Sequence, residues 1–118
     1  MFALIPLGRY LLALPMAVFG IFHLMNASMM AGMVPSYLPG GVVWVYLTGL
    51  CLLAACVSIL IGKKAKTAST LLAIMLILFV LMIHLPSLMA GHQDSMGMIL
   101  KDLAIAGGAL VYAGTAKD

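Results

Sequence analysis

Residues 10–62 contain no Asp, Glu, Lys or Arg, and neither do residues 67–93. A soluble domain needs charged side chains along its solvated faces, so uncharged runs of this length fit only a chain that meets lipid, where one helical crossing takes about 20 apolar residues. The composition agrees: 65% of the 118 residues are hydrophobic, 8% are charged, and the mean hydropathy is +1.24. These values exclude an ordinary soluble domain and a disordered chain alike. Four crossings use most of the length, which leaves a single small domain with the lipid bilayer as its first partner. The formal charge of +3 comes from six scattered Lys and Arg, too few for a phosphate-tracking surface, so no nucleic-acid role is expected.

The first uncharged run is too long for one span, and it is broken by Pro35, Ser36, Pro39, Gly40 and Gly41. Proline ends a helix and pushes its predecessor toward extended geometry, so a loop is expected over 34–41. The pattern predicts helices at about 8–30, 42–62, 67–88 and 96–115, with the hydrocarbon-buried part of the first ending near Met25. The core of the third, LLAIMLILFVLMIHL, is apolar all round, as a lipid-embedded helix is. In the fourth, Ala104 and Gly108 have small-xxx-small spacing, which predicts close helix packing inside the bundle or against a second copy in a homo-oligomer. Cys51 and Cys56 are five residues apart on one helix and point away from each other. No disulfide or CxxC chemistry is expected from them.

In a four-span arrangement Arg9, Lys63, Lys64, Lys66 and Lys117 fall on one side and Lys101 on the other. The positive-inside rule then places both termini in the cytoplasm. The region after Arg9 has no clear small-residue cleavage site, so the first apolar segment is expected to be retained. The resulting expectation is an all-α, integral membrane, antiparallel four-helix bundle.

This topology gathers His23, His84, Lys101, Asp102 and the two longer loops on the outward face, with Trp44 and Tyr46 at the start of the second helix. Ionisable side chains at membrane depth are expensive unless paired or hydrated, so His84 and Asp102 are expected to point into the bundle. A structural role for each histidine, capping a helix end or bonding a loop carbonyl, is an equally weighted alternative. Eight of the eleven methionines lie toward the same face, and the stretch MNASMMAGM suggests copper, with His23, His84, Met25 and Met29 as the candidate set. Haem held by His23 and His84 is a further option, without any CxxCH attachment motif. Hydrolase chemistry is unsupported, since there is no GxSxG elbow and no Glu in the chain.

The segments FGIFHLMNA, GMVPSYLPGG followed by WVYLTG, GKKAKTAS, MIHLPS and LKDLAIAGGAL occur in an order and at spacings over nearly the whole chain that resemble the DoxX family of small four-helix bacterial membrane proteins. The resemblance implies a bundle in the bacterial inner membrane and a redox-associated role in which electrons reach quinone. In such a role the chain is at most an accessory subunit of a membrane oxidoreductase, with a membrane or periplasmic redox partner. It carries over the first-helix histidine to His23, the third-helix histidine to His84, and the Lys-Asp pair opening the last helix to Lys101 and Asp102. LTGLCLLAAC departs from the family pattern in lacking an acidic residue, which weighs against proton-coupled quinone chemistry. The ligand expected on this reading is quinone-like or otherwise lipophilic, in an outward-facing pocket bounded by His23, His84, Lys101, Asp102, Tyr46 and Trp44. The competing function is a noncatalytic assembly or partner-binding module that uses the Met-rich loop.

Overall fold

The computed structural model describes residues 2–34 and 37–116, with side chains at all of these except Met33. Pro35 and Ser36 of the expected loop, Lys117 of the charge bias and the Met33 side chain lie outside the described residues. Among the described residues there is no strand, and four helical runs are long and apolar enough to cross a membrane: Phe2–Met25, Gly41–Ile61, Ala65–Met89 and Ser95–Thr115. A helix of this length spans about 30 Å, the thickness of a bilayer's hydrocarbon. The longest dimension of the molecule is 43 Å.

The first run is a 3-10 segment, Phe2–Leu7, continuing into helix α1, Gly8–Met25. It therefore begins earlier than expected and stops earlier too. Asn26 leaves helical geometry, at φ −120° and ψ 28°, while its backbone N–H and its side-chain amide both bond Phe22 O, at 2.9 and 3.1 Å. A short polar side chain that competes for backbone carbonyls favours such a break. Helix α2, Ala27–Met30, is the stub beyond it, and α3, Gly41–Ile61, follows the loop. Gly40 before α3 and Gly62 after it have φ of 70° and 73°, a left-handed conformation that glycine adopts without the penalty of a Cβ.

Helix α4, Ala65–Phe79, passes through a π-helical turn, Val80–His84, into α5, Leu85–Met89. The cause lies in the sequence: Pro86 has no N–H to offer Met82 O, and its ring crowds that carbonyl, so the ladder widens by one residue. Helix α6, Ser95–Thr115, completes the chain. α1 packs most extensively on α3, and α4 on α6, while α3 and α4 join the two pairs. The shared core is built by Met16, Leu52, Ala55, Leu72, Ala73, Leu76, Ala106 and Ala109. Four alanines in this cluster let the four helices converge.

The tightest approach lies elsewhere than the sequence pattern suggested. A Cβ added to Gly20 would meet Gly49 O at 2.9 Å, and one added to Gly49 would meet Gly20 O and His23 Cβ at 3.0 Å. α1 and α3 therefore cross backbone to backbone at this pair. On α6, by contrast, Ala104, Gly107 and Gly108 are exposed, and nothing lies within 4 Å of a Cβ at either glycine. Its buried face includes Ile99, Asp102, Ala106, Ala109 and Ala113, so the Ala104–Gly108 pair does not pack inside the chain.

Candidate functional site

Next to the alanine-rich core, whose Met16, Leu52 and Leu76 form part of its wall, and toward His23 and His84, the helices bound a cavity of about 520 Å³. Its walls are mainly Phe, Leu, Met, Ile and Val side chains from α1, α3, the α4–α5 run and α6, with Met30, Val34 and Leu38 closing it from the connecting segment. Leu47 and Leu78 line it while remaining 49% and 46% exposed, so the space opens to the surroundings rather than being sealed.

One charged cluster interrupts the wall, which also carries Thr48. Asp102 is buried, and its Oδ2 accepts from His84 Nε2 at 3.1 Å while its Oδ1 faces Lys101 Nζ at 3.5 Å. A buried carboxylate without partners would carry a penalty of several kcal/mol; here a half-exposed ammonium and a buried imidazole share it. The π-helical turn supplies the imidazole. His84 is the last residue of that turn, so the widening enforced by Pro86 sets the direction from which its ring meets α6.

His23 is held differently. Its Nδ1 lies 2.6 Å from Phe19 O, and because a carbonyl can only accept, Nδ1 carries the proton and donates. Nε2 has no hydrogen-bond partner among the described residues. Phe19 also presents its ring to Lys101 Nζ at 4.9 Å from the centroid, a cation–π contact. One residue thus orients His23 through its backbone and Lys101 through its side chain. Nothing in the residue pattern singled out Phe19, which reads as one more apolar helix residue; its carbonyl meets His23 as the residue four back on the same helix, while its contact with Lys101 depends on α1 meeting α6.

The remaining candidates divide. Trp44 lines the cavity, but its indole N–H donates to Pro39 O at 2.7 Å and ties α3 to the preceding loop. Tyr46, expected as an aromatic wall, is 45% exposed and does not line the cavity; Phe19, Phe22 and Phe79 supply its aromatic surface instead. Met25 and Met29 are 76% and 80% exposed and do not line it either, so the set His23, His84, Met25 and Met29 is not gathered there. Among the described residues no three His, Cys, Asp or Glu come together as a metal-holding group. Haem on both histidines would need the His84 Nε2 that faces Asp102. Cys51 is exposed and lines the cavity, whereas Cys56 is buried beside Ala13 and Ile59.

A second, smaller cavity of about 160 Å³ shares His84, Ile83 and Met98 with the first. Its polar lining is Ser87, His92, Asp94 and Ser95, and Ser95 Oγ bonds Ser87 Oγ at 2.8 Å. His84 thus borders an apolar chamber on one side and a polar one on the other.

Fold and site together define a class: an all-helical protein with four membrane-length apolar helices around a lipophilic cavity that carries a His–Asp–Lys cluster. The chain belongs to the family described as Domain of unknown function (DUF8561), whose model matches residues 12–106, a segment that contains His23, His84, Lys101 and Asp102. No curated protein and no solved structure matches it.

Proposed function

We propose that this protein is a DoxX-like integral membrane subunit, redox-associated, that binds a quinone-like or other lipophilic ligand in the cavity between its helices. The observation that carries the reading is the cavity: about 520 Å³ of mainly apolar space, within the roughly 300–1,000 Å³ usual for small-molecule sites, with its charged groups confined to one cluster. Phe19, Phe22 and Phe79 suit a flat or chain-like apolar body, and Lys101 suits an oxygen-bearing head. The proposal includes an antiparallel bundle in a bacterial inner membrane with both termini cytoplasmic, supported by the bias of Arg9, Lys63, Lys64 and Lys66 against Lys101. A membrane or periplasmic redox partner would complete any electron transfer.

Native mass spectrometry with an absorption spectrum on gently extracted protein tests this. A co-isolated lipophilic molecule of a few hundred daltons supports it, and a bare chain in several mild detergents counts against it. One observation favours the assembly alternative: Met25, Met29 and Met89 are 76%, 80% and 81% exposed, an adaptable apolar surface of the sort that meets protein partners. That reading expects a defined membrane protein in the same spectrum and no small ligand.

A further inference from the structure

The hydrogen-bonding polarity of the site restricts its ligand more than its volume does. Trp44 has already given its indole N–H to Pro39 O, and His84 Nε2 is engaged with Asp102. Both oxygens of Asp102 have partners, His84 and Lys101. His23 differs from these because its proton is on Nδ1, committed to Phe19 O, which leaves Nε2 as a bare acceptor on a residue that lines the cavity. A bound molecule that offers only carbonyl or ether oxygens has nothing for that lone pair.

From this we infer that the cavity selects a lipophilic alcohol or phenol whose hydroxyl proton is donated to His23 Nε2. The inference rests on the lipophilic-cavity reading and narrows its ligand class. A hydroxyl both donates and accepts, and Lys101, held on the ring of the same Phe19 that orients His23, supplies N–H groups for the oxygen lone pairs. Rigid placement of His23 matters, and the 2.6 Å bond to Phe19 O holds its ring at Nδ1. An acceptor fixed in this way discriminates by the presence of one proton, since an analogue lacking it leaves the acceptor without a partner.

The test compares 4-hexylphenol with 4-hexylanisole, which differ in one methyl on oxygen, against the full chain in lipid nanodiscs, with bound ligand counted by native mass spectrometry. The phenol is expected to bind about tenfold more tightly, the effect of one well-formed hydrogen bond near the upper end of its usual range. In His23→Phe the preference should vanish while binding of the anisole persists. Equal affinity of the two probes for the unaltered protein overturns the hydroxyl inference and leaves the lipophilic-cavity reading in place. A preference that survives His23→Phe overturns it as well. If neither probe binds, the cavity reading fails and the inference fails with it. Nitrogen-15 NMR of histidine-labelled protein gives a readout without substitution: the His23 Nε2 resonance should be that of an unprotonated nitrogen and should move with the phenol alone. A protonated Nε2 at neutral pH overturns the proposal.

Discussion

Adding one methyl group at Gly49 tests whether the α1–α3 crossing positions the site. In Gly49→Ala the new Cβ would lie 3.0 Å from Gly20 O and from His23 Cβ and 3.1 Å from Leu24 Cδ2, whereas ordinary contacts begin at 3.4 Å. Leu24 can rotate away, but a backbone oxygen and a Cβ cannot, so α1 must retreat by the difference, 3.4 − 3.0 = 0.4 Å. Overpacking of this sort destabilises by about 1–3 kcal/mol, against which replacing a mid-helix glycine by alanine returns about 0.5–1 kcal/mol. The net expectation is about 1 kcal/mol of destabilisation, or roughly 4 °C in melting temperature for a chain near this size. Gly108→Ala is the internal control. Its Cβ meets nothing within 4 Å, so only the propensity gain applies and the sign reverses. Thermal unfolding of both variants in one detergent, followed by circular dichroism, gives the comparison. If Gly49→Ala is as stable as Gly108→Ala, the backbone crossing does not bear on stability as argued.

Other substitutions separate the parts of the cluster. Asp102→Ala should destabilise by about 3–5 kcal/mol because it leaves the buried His84 without a partner, and Asp102→Asn by clearly less, since an amide still accepts from His84; equal losses would show that the carboxylate shape is immaterial. Lys101→Met should shift stability by under about 1 kcal/mol, given a half-exposed ammonium, but should weaken binding of an oxygen-bearing ligand; unchanged binding removes Lys101 from the site. Pro86→Ala restores a donor to Met82 O and should let the π-helical turn relax, so that His84 turns away from Asp102; a solved structure of the variant with the 3.1 Å contact intact would refute that cause. Cys51 should react with a small apolar maleimide and be protected by a cavity ligand, whereas Cys56 should stay unlabelled, as intact-protein mass would report.

Much of the frame was legible in the residues alone, because the transfer of a side chain between water and lipid is a local property that adds along the chain. Runs without charge, stopped by Gly40, Gly62 and Lys63, place the long helices to within a few residues, except in the first, which a 3-10 segment extends back to Phe2 and which ends early where Asn26 takes Phe22 O. The same reasoning sends His84 and Asp102 inward, since a charged group at membrane depth must find a partner, and the structure puts them 3.1 Å apart. Which atoms meet, however, depends on where helices cross, and a crossing is a relation between two distant segments that no local pattern encodes. Small-xxx-small spacing on α6 fits close packing as well as the FGIF and LTGL segments do, yet the close approach is made by Gly20 and Gly49. Met25 and Met29 share an end of the molecule with the histidines but stand outside the cavity: Met25 lies on an exposed side of α1, and Met29 follows the break at Asn26. Tertiary structure alone decided that Lys101 would lie on the ring of the same Phe19 whose carbonyl, one turn back on α1, holds His23. Hydropathy fixed which segments are long and apolar enough to cross a membrane; one backbone crossing and one proline-widened turn fixed which side chains meet between them.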